Sequence, residues 1–244
     1  MRIKAILFDI YGTLIDIETD ESNWYVYLNL ANYLSYRGIS LSADEIRGFY
    51  FEKINKQIEE SGEKYPEISV RKIWRDMISE HQNPEVYKLN LEQCAFLEDL
   101  AVLHRALTLK KLKPYDGTLD SLKRLKTSFR LGIVSDAQQE YAISELKIVG
   151  IYRLFDSIVI SGDYGFRKPD QRLFNQCLSN LGVSPEEALF VGNDAYRDIS
   201  GAKSIGLKTG LVMTEYGSKN TQHGEPDFRI DNISQLPDNL RKLA

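Results

Sequence analysis

Ile6-Leu7-Phe8-Asp9-Ile10-Tyr11-Gly12-Thr13-Leu14 is the stretch from which the rest of the chain is read. An apolar run of β-forming residues, 3–8 with only Lys4 and Ala5 interrupting it, stops at a carboxylate. A continuous apolar run closed by glycine reads as a strand buried on both faces of a parallel sheet. The chain then leaves the sheet at its carboxyl end, where open α/β folds place their ligand sites. Asp9 therefore stands at a buried strand tip, with Gly12 to turn the backbone and Thr13 to offer a hydroxyl. An aspartate in such a place also serves simply as a helix cap. The later segments decide between the two readings, because they repeat the same design.

Outward from this stretch the texture changes. From residue 17 to about 112 no β-type apolar run is found and helical periodicity prevails. Trp24, Tyr27, Leu28, Ala31 and Leu34 recur at steps of three and four, predicting a helix that ends near Gly38. Ser42-Ala43-Asp44-Glu45 has the capping-box pattern ahead of Ile46, Phe49, Tyr50 and Ile54. Ile68, Ile73, Trp74 and Met77 predict a third helix, and Leu97, Leu100, Leu103 and Leu107 a later one. Residues 113–117, Lys-Pro-Tyr-Asp-Gly, read as a turn that returns the chain to α/β alternation. Helices are expected at 118–126, 140–149, 170–181 and 198–205, with strands at 129–134, 157–160, 188–191 and 209–213. A last edge strand at 228–230 precedes a C-terminal helix. The fold class is α/β: a doubly wound parallel sheet, residues 1–16 and 113–244, with an all-helical insertion at 17–112.

Three later segments match the first. Leu131-Gly132-Ile133-Val134-Ser135-Asp136 is a second apolar strand ending in a hydroxyl, and Ser135 with nearby amides can receive a phosphoryl group without adding repulsion. In Tyr164-Gly165-Phe166-Arg167-Lys168-Pro169-Asp170, Lys168 precedes a proline that opens a helix, which aims its ammonium back at the strand tips. There it neutralises both Asp9 and a substrate anion. Arg167 is assigned to the surface. The fourth is Phe190-Val191-Gly192-Asn193-Asp194-Ala195-Tyr196-Arg197-Asp198, with Gly201-Ala202 packing closely behind it. Asp194 and Asp198, added to Asp9, make a like-charge cluster that needs cations to offset it.

These four segments, in this order, resemble the motifs of the haloacid dehalogenase superfamily. The resemblance covers 1–16 and about 113–244, and it implies a hydrolase with Asp9 as nucleophile. It makes Tyr11 the occupant of the position where most members carry an acid/base aspartate. It also implies phosphate binding by Thr13, Ser135, Asp136 and Lys168, with Asp198 holding Lys168 in place. The insertion corresponds to the cap that closes over the site. Mg²⁺ would be held by Asp9, the Tyr11 main-chain carbonyl and the fourth-motif residues Asn193 and Asp194, since this hard ion prefers oxygen ligands.

Tyr11 matches the dehalogenating branch, where the leaving halide needs no proton, whereas an alkoxide does. Two positions point the other way. Dehalogenases carry a tyrosine six residues after the motif lysine, where this chain has Phe174, and an asparagine in the fourth motif where it has Ala195. Arg47 is the candidate for a carboxylate-gripping arginine in the insertion. The expectation is a Mg²⁺-dependent phosphatase of a small phosphorylated metabolite. A metal-independent 2-haloacid dehalogenase is the alternative, and a binding or regulatory member that has lost turnover is the second.

Composition agrees with a soluble enzyme of this kind. The 244 residues are 43% hydrophobic and 27% charged, with a net charge of −4. That charge gives no basic field for nucleic acid or for a membrane surface. Cys94 and Cys177 lie far apart in no ligand spacing and read as small buried hydrophobes of a reducing compartment. The first strand begins within two residues of the start, so no signal peptide is expected and the location is cytoplasmic. The expected assembly is a monomer or homodimer.

Overall fold

The computed structural model describes residues 3–82 and 95–243. Six strands form one parallel sheet, β1 (Ala5–Phe8), β4 (Arg130–Ser135), β5 (Ser157–Ile160), β6 (Ala188–Gly192), β7 (Lys208–Val212) and β8 (Phe228–Ile230). Their spatial order is β5-β4-β1-β6-β7-β8. Phe8 of β1 pairs with Ile133 of β4 on one side and Val191 of β6 on the other. The chain runs outward from β1 through β4 to β5, then crosses back to place β6 on the opposite flank of β1. Asp9 therefore lies at the topological switch point, where an open α/β sheet leaves a crevice at its carboxyl edge.

The unbroken apolar run of β1 has a simple cause. Ile6 and Phe8 face a core built with α5 (Thr118–Lys126), α6 (Gln139–Ile148) and α9 (Leu236–Leu243). Ala5 and Leu7 face the other core, against α7 (Gln171–Leu181) and α8 (Gly201–Lys203). Cys177 is a buried, free thiol in this second core, whereas Cys94 lies outside the described residues. Among the described residues, no helix is long and apolar enough to cross a membrane.

Four helices make up most of the insertion: α1 (Trp24–Ser35), α2 (Ala43–Glu60), α3 (Val70–His81) and α4 (Ala95–Thr108). They enclose their own apolar cluster around Tyr27, Leu30, Ile46, Trp74 and Leu100. The capping box at Ser42 forms, with Glu45 N–H donating to the Ser42 hydroxyl and Ser42 N–H donating to the Glu45 carboxylate.

Three sequence expectations need correction here. The stretch 17–112 is not free of strand: β2 (Ile15–Thr19) pairs antiparallel with β3 (Leu109–Pro114), Ile17 opposite Leu112. β2 alternates Ile15 and Ile17 with Asp16 and Glu18, and β3 carries Lys110, Lys111 and Lys113 with no buried residue, the pattern of a half-exposed ribbon rather than of a buried strand. Lys113 and Pro114, read as turn, close that ribbon. The helix expected at 198–205 is instead a π-turn at Ala195–Ser200 followed by the short α8. Finally, Pro169 does not itself open α7, which begins at Gln171 with the Asp170 side chain accepting from Arg172 N–H.

The insertion is fastened to the sheet at more than its ribbon. Tyr65 and Glu67, between α2 and α3, exchange backbone hydrogen bonds with Gly165 and Arg167. The Gln138 amide accepts from Val70 N–H and donates to the Ile68 carbonyl. Ser161 donates to Glu67. These contacts hold the helices over the carboxyl ends of the strands.

His104 is buried inside the insertion, its ring 4.6 Å from Tyr50 and 5.4 Å from Trp74. Neither imidazole nitrogen has a hydrogen-bond partner among the described residues. Burial pushes its pKa down to about 4, below the ordinary value of about 6.5. Between those values the unfolded chain binds a proton that the folded protein excludes, so stability falls as pH drops. Between pH 7 and pH 5 this group alone removes about 2 kcal/mol. His104→Phe is expected to flatten the pH dependence of denaturant unfolding by that amount, and an unchanged slope would contradict the assignment.

Candidate active site

Asp9 follows β1 directly, and its backbone N–H still donates to Val191 in the sheet ladder. Its Oδ1 accepts from the Ser135 hydroxyl at 2.7 Å and lies 2.8 Å from the Lys168 ammonium. No other hydrogen bond to this carboxylate is made among the described residues, so Oδ2 is the oxygen left to react. Ser135 comes from β4 and Lys168 from the loop before α7. Parallel neighbours of β1 thus deliver two of the three partners by register alone.

Lys168 also lies 2.6 Å from Asp198 Oδ1, and the Asp198 Oδ2 accepts from the backbone N–H groups of Asn193 and Asp194. Burial by itself lowers the Lys168 pKa, but Asp198, Asp9 and Asp136 outweigh it and hold the ammonium well above its usual range. Burial pushes the Asp198 carboxyl up, against the pull of Lys168. The result is a buried Asp9–Lys168–Asp198 chain in which one cation serves two carboxylates. A Cβ on Gly192 would strike the Asp198 carboxylate, which explains glycine at the end of β6.

Thr13 is fully buried and donates its hydroxyl to the Asn193 side-chain oxygen at 3.3 Å. Gly12 has φ +78°, and a Cβ there would collide with the Asn193 amide. The first and fourth motifs are therefore in contact through residues 12, 13 and 193.

Two expected roles do not fit the geometry. Asp194 caps the π-turn, with Oδ1 accepting from Tyr196 and Arg197 N–H and Oδ2 from Ser218 N–H and the Arg197 guanidinium. Although burial raises its pKa, these donors bring it below the usual carboxylate range. A carboxylate with four N–H donors is committed to the loop and is a poor metal ligand. Asp136 accepts from the Lys168 backbone N–H at 2.9 Å and anchors the lysine loop. As a carboxylate it suits that task rather than direct phosphate binding. Among the described residues, no three His, Cys, Asp or Glu side chains gather in a group suited to a metal ion. The oxygen donors that remain for a hard cation are the Asp9 carboxylate, the Tyr11 carbonyl and the Asn193 amide, a set that fits Mg²⁺ keeping several waters.

Tyr11 turns its phenol away from this cluster. Its hydroxyl donates to Glu145 of α6, whose carboxylate also accepts from Arg105 of α4 at 2.7 Å. The Arg105 guanidinium lies over both the Tyr11 and Tyr141 rings. Burial, then the Glu145 charge, raises the Tyr11 pKa well above its ordinary value. A phenol so held is a weak acid. Sequence reasoning did not find Glu145 or Arg105, because neither sits in a motif and they meet only when α4 packs on α6. Arg47, the arginine singled out, lies over Phe51 of its own helix instead. Phe174 is buried edge-on against Phe190, and Ala195 opens the π-turn.

Residues 6–212 match the model of the family described as haloacid dehalogenase-like hydrolase. The chain is 28% identical over 244 residues to the glyceraldehyde 3-phosphate phosphatase of Methanothermobacter thermautotrophicus, covering 98% of this chain and 100% of the relative. It is 29% identical to the pyrophosphatase PpaX of Bacillus velezensis, covering 96% and 95%. It is 30% identical to the phosphoglycolate phosphatase of Aquifex aeolicus, again covering 96% and 95%. Among solved structures, a HAD phosphatase from Thermococcus onnurineus superposes with a TM-score of 0.60 at 25% identity, covering 98% of each chain. A 2-haloacid dehalogenase from Pseudomonas syringae superposes at 0.65 with 19% identity, covering 99% of this chain and 100% of that one, a likeness of fold. With the match running from β1 through β7 and taking in the insertion and the four motifs, the chain belongs to the haloacid dehalogenase-like hydrolase family.

Proposed function

We propose that the protein is a Mg²⁺-dependent phosphatase of a small phosphorylated metabolite, with Asp9 as nucleophile. The observation that carries this reading is the Asp9 carboxylate, held through Oδ1 by Ser135 and Lys168 with Oδ2 left open. Relatives named as phosphatases along nearly the whole chain support the substrate class.

Asp9 Oδ2 attacks phosphorus in line with the leaving oxygen, and the ester P–O bond breaks. The alkoxide leaves as the alcohol with a proton from water, and a second water hydrolyses the aspartyl phosphate to free Asp9 and phosphate. Lys168, with the Ser135 hydroxyl and the amides of the loop after Asp9, steadies the phosphoryl oxygens. Asp198 and Asp136 hold Lys168 from its two ends. Thr13 and Gly12 set the Asn193 amide. Mg²⁺, held by Asp9, the Tyr11 carbonyl and Asn193, would supply charge neutralisation at the phosphoryl group. Tyr11 acts through its carbonyl, since its phenol is engaged by Glu145. The first motif is thus the Asp-x-Tyr-Gly-Thr form, without a carboxylic acid beside the nucleophile. Residues 17–112 act as a helical cap over the core formed by 1–16 and 113–244. The enzyme works in the cytoplasm on a free small molecule, as a monomer or homodimer, without nucleic acid or membrane.

The metal assignment is tested by titrating Mg²⁺ against phosphate release from short alkyl phosphates. Activity should saturate with Mg²⁺, and Asn193→Asp should lower the half-saturating concentration about tenfold by adding an anionic ligand. Asp194→Asn should leave that concentration unchanged and lower thermal stability. A shift with Asp194→Asn but none with Asn193→Asp would reverse the assignment.

A further inference from the structure

The strand order sets the tips of β4 and β6 on either side of Asp9. Asp136 is the first residue past β4, and Asp194 the second past β6. The Arg197 guanidinium joins them, Nη1 standing 3.6 Å from Asp136 Oδ2 and Nη2 3.2 Å from Asp194 Oδ2. It therefore spans the two strands that flank the nucleophile. The π-turn sets this placement, because Arg197 N–H is fixed on the Asp194 cap.

Neither carboxylate depends on this arginine for its place. Asp194 is already held by three backbone amides, and Asp136 by the Lys168 amide. Both contacts are longer than the 2.7–2.9 Å of a strong charge-assisted bond. The Arg197 fork is divided between two carboxylates rather than closed as a two-pronged pair on one. A guanidinium carries five donors, two of Arg197's nitrogens face Asp136 and Asp194, and its side chain remains 44% exposed beside them. Its charge acts on Asp194, Asp136, Asp198 and Asp9 together. Four carboxylates at one mouth repel an anionic substrate. Lys168 is spent on two of them.

We propose that Arg197 is a specificity-determining residue whose free edge binds a second anionic group of the substrate, beyond the reacting phosphoryl group. The second group is a carboxylate, or another phosphoryl, a few bonds from the bridging oxygen. This rests on the phosphatase reading and narrows it, because it separates substrates with a second anion from those with a neutral tail.

The test compares 2-phosphoglycolate with ethyl phosphate, two alkyl esters of similar size that differ in the carboxylate. Steady-state kcat and KM are measured for the full chain with Mg²⁺. The wild type should show the lower KM for 2-phosphoglycolate, and Arg197→Gln should shrink the ratio of the two KM values by about 10–100-fold, the worth of a charged hydrogen bond. Arg197→Lys keeps the charge without the fork and should restore part of that ratio. It also serves should the glutamine variant fail to fold. Equal KM changes on both substrates, or a loss confined to kcat, would overturn the proposal while leaving the phosphatase reading intact. Phosphate release from neither substrate by the wild type would overturn both.

Discussion

Asp9→Asn is expected to lower turnover by at least about 10⁴-fold while the protein stays folded. The amide is nearly the shape of the carboxylate, can still accept from Ser135, and leaves Lys168 paired with Asp198 at 2.6 Å. Only the nucleophilic charge is lost. Because one of several crowded carboxylates is removed, stability should hold or rise slightly. Circular dichroism and thermal unfolding check the fold, and phosphate release checks the rate. Activity within tenfold of wild type in a folded Asp9→Asn variant would remove the nucleophile from the account.

Lys168→Met should be costly to both stability and rate. It strips the cation from Asp9 and Asp198, leaving two buried carboxylates without their partner. Removing one side of a buried ion pair costs about 3–5 kcal/mol. For a chain of this length that is a fall in Tm of roughly 10 °C. Burial already pushes the Asp198 carboxyl up, so the cost should shrink as pH falls and Asp198 takes up a proton. Turnover should drop by at least about 10³-fold, since the phosphoryl oxygens lose their fixed cation. Denaturant unfolding at pH 7 and pH 5 reads the first effect. A stability loss that is small, or that grows on acidification, would contradict the Asp9–Lys168–Asp198 chain.

Much of this site is legible in the sequence because a parallel sheet puts chemistry at strand ends. Asp9, Ser135, Asn193 and Lys168 each follow an apolar run or a turn that places them, and the chain order fixes which tips are neighbours. The resemblance implies Asp198 as the partner of Lys168, and the two side chains stand 2.6 Å apart. What the sequence hides is the direction of side chains inside a loop. Asp194 reads as a metal ligand until its four N–H donors are seen. Asp136 reads as a phosphate neighbour until its bond to the Lys168 amide is seen. The extra residue that makes a π-turn of Ala195–Ser200 has no signature in periodicity, since the segment is too short to show one. The β2–β3 ribbon is missed for a related reason, its Asp16, Glu18, Lys110, Lys111 and Lys113 breaking up the apolar positions so that both strands resemble polar linkers. Tyr11 lies 134 residues from Glu145, Arg105 lies 40 residues from it, and the three meet only through tertiary packing of the insertion on α6.

The position of Tyr11 also explains why the choice of reaction turns on the leaving group. With the phenol committed to Glu145, position 11 offers no side-chain acid for an alkoxide, which takes its proton from water, and a halide would need none. The open Asp9 oxygen, the Asn193 amide and the flanking cations suit a phosphoryl group. The measurement that separates the two is the anion released by the wild-type protein, assayed side by side on a short alkyl phosphate and on L-2-chloropropionate, with Mg²⁺ and with a chelator. The account predicts phosphate release that requires Mg²⁺ and is abolished by Asp9→Asn, with no chloride under either condition. Chloride release that persists in the chelator, with no phosphate released in Mg²⁺, would contradict it.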